Sequence, residues 1–159
     1  MSHEHQKGQK CFLCDGGTKK DLAEWQDKNM EKYGFYMHFV PDGHFINAHT
    51  HGFDKTWGHL DFQIVLPLEQ KLISSFFWTF ADRVKAGEKF EADTSVDKVI
   101  KNMPVRLTRA HENDRDVLRI IFPDKNGKFY GDPGVDEAYA HQVEHVEEND
   151  EVPPDLAMN

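Results

Sequence analysis

"LDFQIVLPLEQKLISSFFWTFADRVKAG", residues 60–87, decides the fold class. Residues 60–66 read as a strand. Ile64, Val65 and Leu66 make a continuous apolar run that suits burial on both faces, and Pro67, lacking an amide proton, stops it. The period then changes. Leu68, Leu72, Ile73, Phe76, Phe80 and Val84 fall on one stripe of a helix over 68–86, and Gly87 stands where a helix ends in a left-handed residue.

Toward the N-terminus, Thr18 serves as N-cap of a first helix, with Asp21 at the capping-box position. Leu22, Trp25, Met30 and Tyr33 recur at near-helical spacing, and Gly34 closes the element. "FYMHFV" (35–40) is then a strand, "PDG" (41–43) a turn and "HFINAHTH" (44–51) the returning strand, ended by Gly52. Toward the C-terminus, "MPVRLTRAH" (103–111) and "VLRIIFP" (117–123) are strands joined by the charged "ENDRD", and "PDKNGK" (123–128) is a tight turn. Strands and helices mix without regular β-α-β alternation. The sequence therefore predicts an α+β single domain, a mainly antiparallel sheet packed by two helices.

The chain has 159 residues, 38% of them apolar and twelve of them Phe, enough for one core. Residues 1–10 are polar and read as a flexible N-terminus. From 144 to 159 the chain is acidic, Pro-containing and poor in large apolar residues, which reads as a disordered tail. The α+β domain is then 11–143. A formal charge of −9 opposes sequence-independent nucleic-acid binding and attachment to an anionic membrane. No apolar run approaches a membrane span, and the N-terminus has no hydrophobic h-region. A cytoplasmic protein is expected.

Three sets of residues carry candidate chemistry. His49 and His51 lie two apart on a strand, so both point to one face and can share an ion, or they stand as half-exposed strand histidines. Cys11 and Cys14 form a C-x-x-C, half of a tetrahedral zinc site that His49 and His51 would complete, or they stand as a reduced pair on a floppy arm. A redox role suits the thiols less, since "DGG" and Thr18 intervene before the helix. His59 and Asp61, at the mouth of the 60–66 strand, form a candidate general-base pair, with Ser74, Ser75 and Thr79 on the long helix, or else they cap and pack. Arg106, Arg109, Arg115 and Arg119 interleave with Glu112, Asp114 and Asp116, which reads as a solvated, self-compensating face. The "DKNG" turn lacks the downstream Glu of a calcium loop. No phosphate-binding Gly-rich loop, Gly-x-Ser-x-Gly elbow or HExxH occurs.

Several of these landmarks, in order, resemble the domain-of-unknown-function 4262 family of bacterial proteins. They are "CFLCD" (11–15), "YGFYMHFV" (33–40), "THGF" (50–53), "WGHLDFQIVLPL" (57–68), "FADRVKAGEKF" (80–90), "MPVRL" (103–107) and "IIFPDKNGKFYGDPG" (120–134). The resemblance implies fold and landmarks, and no activity comes with it. It also marks departures. His51 stands where the family tends to have Val and His49 where it tends to have an aromatic residue, while Leu60 and Asp61 replace a Pro-Glu pair. Only His59 sits on a matching position.

Together these readings predict a small cytosolic α+β protein that works by binding a small ligand or a protein, with a zinc site at Cys11, Cys14, His49 and His51. The alternative is a metal-dependent hydrolase using His49, His51 and His59, with Asp54 or Asp61 as acid or base. A third reading is an interaction protein without an ion.

Overall fold

The computed structural model describes residues 19–144. In chain order the elements are α1 (Lys19–Tyr33), β1 (Tyr36–Asp42), β2 (Phe45–His51), α2 (Phe53–Trp57), β3 (Asp61–Leu66), α3 (Gln70–Lys85), β4 (Thr94–Ile100), β5 (Met103–Glu112), β6 (Arg115–Ile121) and α4 (Glu137–Glu144). The strands form one sheet in the order β1-β2-β3-β6-β5-β4. It is a mixed sheet: β3 and β6 run parallel, with Asp61 opposite Val117 and Gln63 opposite Arg119, between two antiparallel groups. The expected mainly antiparallel sheet with two helices is corrected to a mixed α+β sheet with four helices among the described residues. The strand buried on both faces is the mark of a parallel neighbour, and β3 is buried at every position. The sequence shows that burial, but it does not show which distant strand arrives beside it.

Alternation sorts the sheet into two chemically different faces. One carries Phe62, Ile64, Leu66, Leu118 and Ile120, and α3 lies on it with Ile73, Phe77, Phe80 and Val84 in the same buried cluster. Ile73, Phe80 and Val84 of the stripe read from the sequence pack here, while Leu72 of that stripe is exposed and Phe77, outside it, is fully buried. The opposite face carries Tyr36, His38, Asn47, His49, His51, Gln63 and Arg119. It meets α1 through Gln26 at His38 and α4 through Gln142 at Arg119. Its polar groups are bonded to one another: Gln63 Nε2 donates to Asn47 Oδ1 at 2.9 Å, and Arg119 Nε donates to Gln63 Oε1 at 2.9 Å. Arg119 is fully buried, so the arginines of 106–119 do not form one solvated face. Arg109, by contrast, is exposed and pairs with Asp116 at 2.9 Å.

Turns fix the registers that build this second face. Gly43, at φ 64°, sits in the two-residue turn between Asp42 and Phe45 and sets His38 opposite His49. Asn113, at φ 55°, sits in the turn between Glu112 and Arg115 and makes those two residues cross-strand partners. Three elements escape the sequence reading, α2, β4 and α4, the first two for plain physical reasons. α2 is one short turn bracketed by Gly52 and Gly58, too brief for a period. β4 is an edge strand with only Val96 buried and a left-handed Lys98 at its irregular register, so it shows no alternation.

Candidate metal centre

The β1–β2 hairpin brings three imidazoles together. His38 projects from β1, and His49 and His51 from β2, all on the polar face. The ring centroids lie 5.4 Å apart for His38 and His49, 4.8 Å for His38 and His51, and 4.9 Å for His49 and His51, each pair edge to face. One nitrogen from each ring lies within 4.8 Å of the other two. Tyr36 stacks on His51 at 5.1 Å and 13°, closing that side. His49 is 1% exposed and His38 4%, while His51 is half-buried.

The contacts of these rings are uneven. His38 Nε2 lies 3.3 Å from Gln26 Nε2. Both ring nitrogens of His49, and Nε2 of His51, are buried with no hydrogen-bond partner among the described residues. Glu112 Oε2 lies 3.8 Å from His49 Nε2, beyond hydrogen-bond distance. Aromatic packing accounts for the closeness of the rings. It does not account for the orphaned nitrogens, because each buried unmade hydrogen bond costs about 1–3 kcal/mol.

Arg115 organises the rim. Its Nε donates to Glu112 Oε1 at 2.8 Å, Nη1 to Asp61 Oδ2 at 2.9 Å and Nη2 to the Thr50 carbonyl at 2.7 Å. His49 and His51 are held neutral. Burial pushes the His49 imidazole well below its ordinary value of 6.5, with His51, His38 and Arg115 adding to the fall. His51 is pushed down to about 2, by burial first and then by the Arg115 and His38 charges. Neutral imidazole is the form that ligates a metal. Three imidazoles suit zinc and its neighbours in the first transition row, at metal–nitrogen distances of about 2.0–2.1 Å. At those distances tetrahedral ligand nitrogens stand about 3.3 Å apart, so a modest turning of the rings brings these onto one ion.

The other sequence candidates fall elsewhere. His59 uses both ring nitrogens: Nδ1 lies 2.8 Å from the Leu60 carbonyl, and Nε2 accepts from the Phe90 amide at 3.0 Å. Its ring stacks on Phe62, on the apolar side of the sheet. Asp61 accepts from the Thr50 hydroxyl at 2.7 Å and the Phe53 amide at 3.1 Å, and it pairs with Arg115. Burial raises its carboxyl above the usual value, against the opposing pull of Arg115 and those hydrogen bonds. Asp54 is exposed on α2. Ser75 and Thr79 bond backbone carbonyls of α3, and Ser74 bonds the Met37 sulfur. Cys11 and Cys14 lie outside the described residues. Of the four expected ligands the fold therefore brings two together, and it adds His38. The signal for His38 was in the sequence: the Gly43 turn and strict alternation set position 38 against position 49.

These observations define an α+β domain with a buried three-histidine cluster that could hold a metal ion. The domain of unknown function DUF4262 matches residues 29–136 of the chain, and the chain belongs to that family. That stretch includes all three histidines, Glu112 and Arg115. Comparison with curated proteins and with solved structures finds no match.

Proposed function

We propose that the chain is a binding module built around one zinc ion at His38, His49 and His51, with one thiolate of the Cys11/Cys14 pair as the fourth ligand. The observation that carries this reading is the set of buried, partnerless nitrogens on His49 and His51 within a cluster of three converging rings. Charge supports the thiol contribution. Three neutral imidazoles leave a dication uncompensated in a buried site, and a thiolate as fourth ligand removes half of that charge.

Chain length permits it. Gln26, against His38, is seven residues along α1 from Lys19, about 10 Å of helix. The five residues back to Cys14 span up to about 17 Å when extended. A protein partner is supported by the aromatic surface beside α1, where exposed Tyr33 and Trp78 meet edge to face at 5.2 Å.

The test is metal analysis of untagged protein purified without chelator, for the wild type, His49→Ala/His51→Ala and Cys11→Ser/Cys14→Ser. One zinc per chain, lost in both variants, is the expected result. Loss with the histidines alone would leave an open coordination position and favour metal-dependent hydrolysis. Metal-free wild type that takes up no added zinc would overturn the reading.

A further inference from the structure

We infer that Glu112 is the positioning residue of this centre: it holds the Nε2 proton of His49 and so turns Nδ1 of that ring toward the ion. The inference rests on the proposed metal site and deepens it.

Glu112 is buried on β5 at 4% exposure, an unusual place for a carboxylate. Its two oxygens are aimed by neighbours. Arg115 Nε donates to Oε1 at 2.8 Å, and Asn113 Nδ2 donates to Oε2 at 2.7 Å. The Asn113–Asp114 turn makes this clamp local, since it sets Glu112 and Arg115 directly opposite each other. Arg115 is fixed in turn by Asp61 and the Thr50 carbonyl. The carboxylate is thus rigidly mounted, and Oε2 points at His49 Nε2 from 3.8 Å.

A ligating imidazole needs its second nitrogen protonated and held, and a carboxylate is a common holder. His49 faces a carboxylate in this way. A shift of under about 1 Å brings the pair into hydrogen-bond range. That hydrogen bond fixes the tautomer, which assigns the ligating atom to Nδ1. The same contact places a negative charge beside the dication without making Glu112 a ligand.

The experiment uses the full chain with zinc as probe. Nitrogen-15 spectra of the zinc-loaded wild type should show His49 coordinated through Nδ1, with a retained, slowly exchanging Nε2 proton. Glu112→Gln should bind zinc about ten- to a hundredfold more weakly, while the circular dichroism of the metal-free protein is unchanged. Coordination through His49 Nε2, or equal zinc affinity in Glu112→Gln, overturns the inference and leaves the metal site standing. Failure of the wild type to bind zinc overturns both. If Glu112→Gln does not fold, the wild-type spectrum decides alone.

Discussion

His38 and His49 are direct cross-strand partners, one from each arm of the β1–β2 hairpin, and their rings meet edge to face at 5.4 Å. Burial holds the His49 ring of this pair neutral. Its first consequence is a pH dependence. In the unfolded chain His49 and His51 take up protons near 6.5, while in the folded protein both are held lower. The unfolded state therefore binds more protons below that value, and stability falls as pH falls. Each group contributes about 1.4 kcal/mol per pH unit once well below 6.5. In chelator, the unfolding free energy should drop by up to about 4 kcal/mol between pH 7 and pH 5. Asp61, raised by burial, works in the opposite direction and softens the acid end. Urea titrations across this range check the slope; a flat profile contradicts neutral His49 and His51 in the folded protein.

Arg119 ties the polar face to the C-terminal helix. It donates through Nε to Gln63 and through Nη1 to the Gln142 carbonyl at 2.6 Å. Arg119→Ala leaves two buried acceptors without donors and opens a cavity. The expected loss is about 3 kcal/mol, with early loss of hydrogen-exchange protection in α4. An Arg119→Ala variant as stable as the parent would mean that the network contributes nothing.

Gly52 closes β2 immediately after His51. Its φ of 114° and the 2.8 Å from a built Cβ to the Gly34 carbonyl oxygen make any side chain costly, because the opposing atom is backbone. Gly52→Ala should cost about 1–3 kcal/mol, read as a lower melting temperature in chelator. Gly43→Ala should cost less, since nothing lies within 4 Å of a Cβ there and only its positive φ opposes it.

His59 offers the cleanest separation of architecture from chemistry. It bridges the Leu60 carbonyl and the Phe90 amide, tying the start of β3 to the segment after α3. His59→Ala should lower stability by about 1–3 kcal/mol while leaving zinc stoichiometry untouched. Loss of the metal in this variant, with the fold intact, would place His59 in the centre.

Much of the frame was legible because local period and local turns write it. The helical period was legible in α3, where Ile73, Phe80 and Val84 are buried as read though Leu72 is exposed and Phe77 takes a core place, and Gly34, Gly52 and Pro67 marked element ends. What was missed depends on distant partners or short spans. Nothing near Asp61 says that Val117 will run parallel beside it. The charged run around Arg115 looked solvated because interleaved signs are the usual mark of a surface. Yet Arg119 is fully buried, and its burial is decided by Gln63 and Gln142, far along the chain. The candidate site was half legible: alternation paired His49 with His51, and the hairpin register would have added His38.

The central claim is that one ion sits among His38, His49 and His51. Anomalous diffraction at the zinc edge from crystals of the full chain tests it directly. The account predicts a single strong peak about 2.0–2.1 Å from one nitrogen of each ring. A map with no peak there, or with zinc only on surface carboxylates while the three rings stay edge to face, would contradict it.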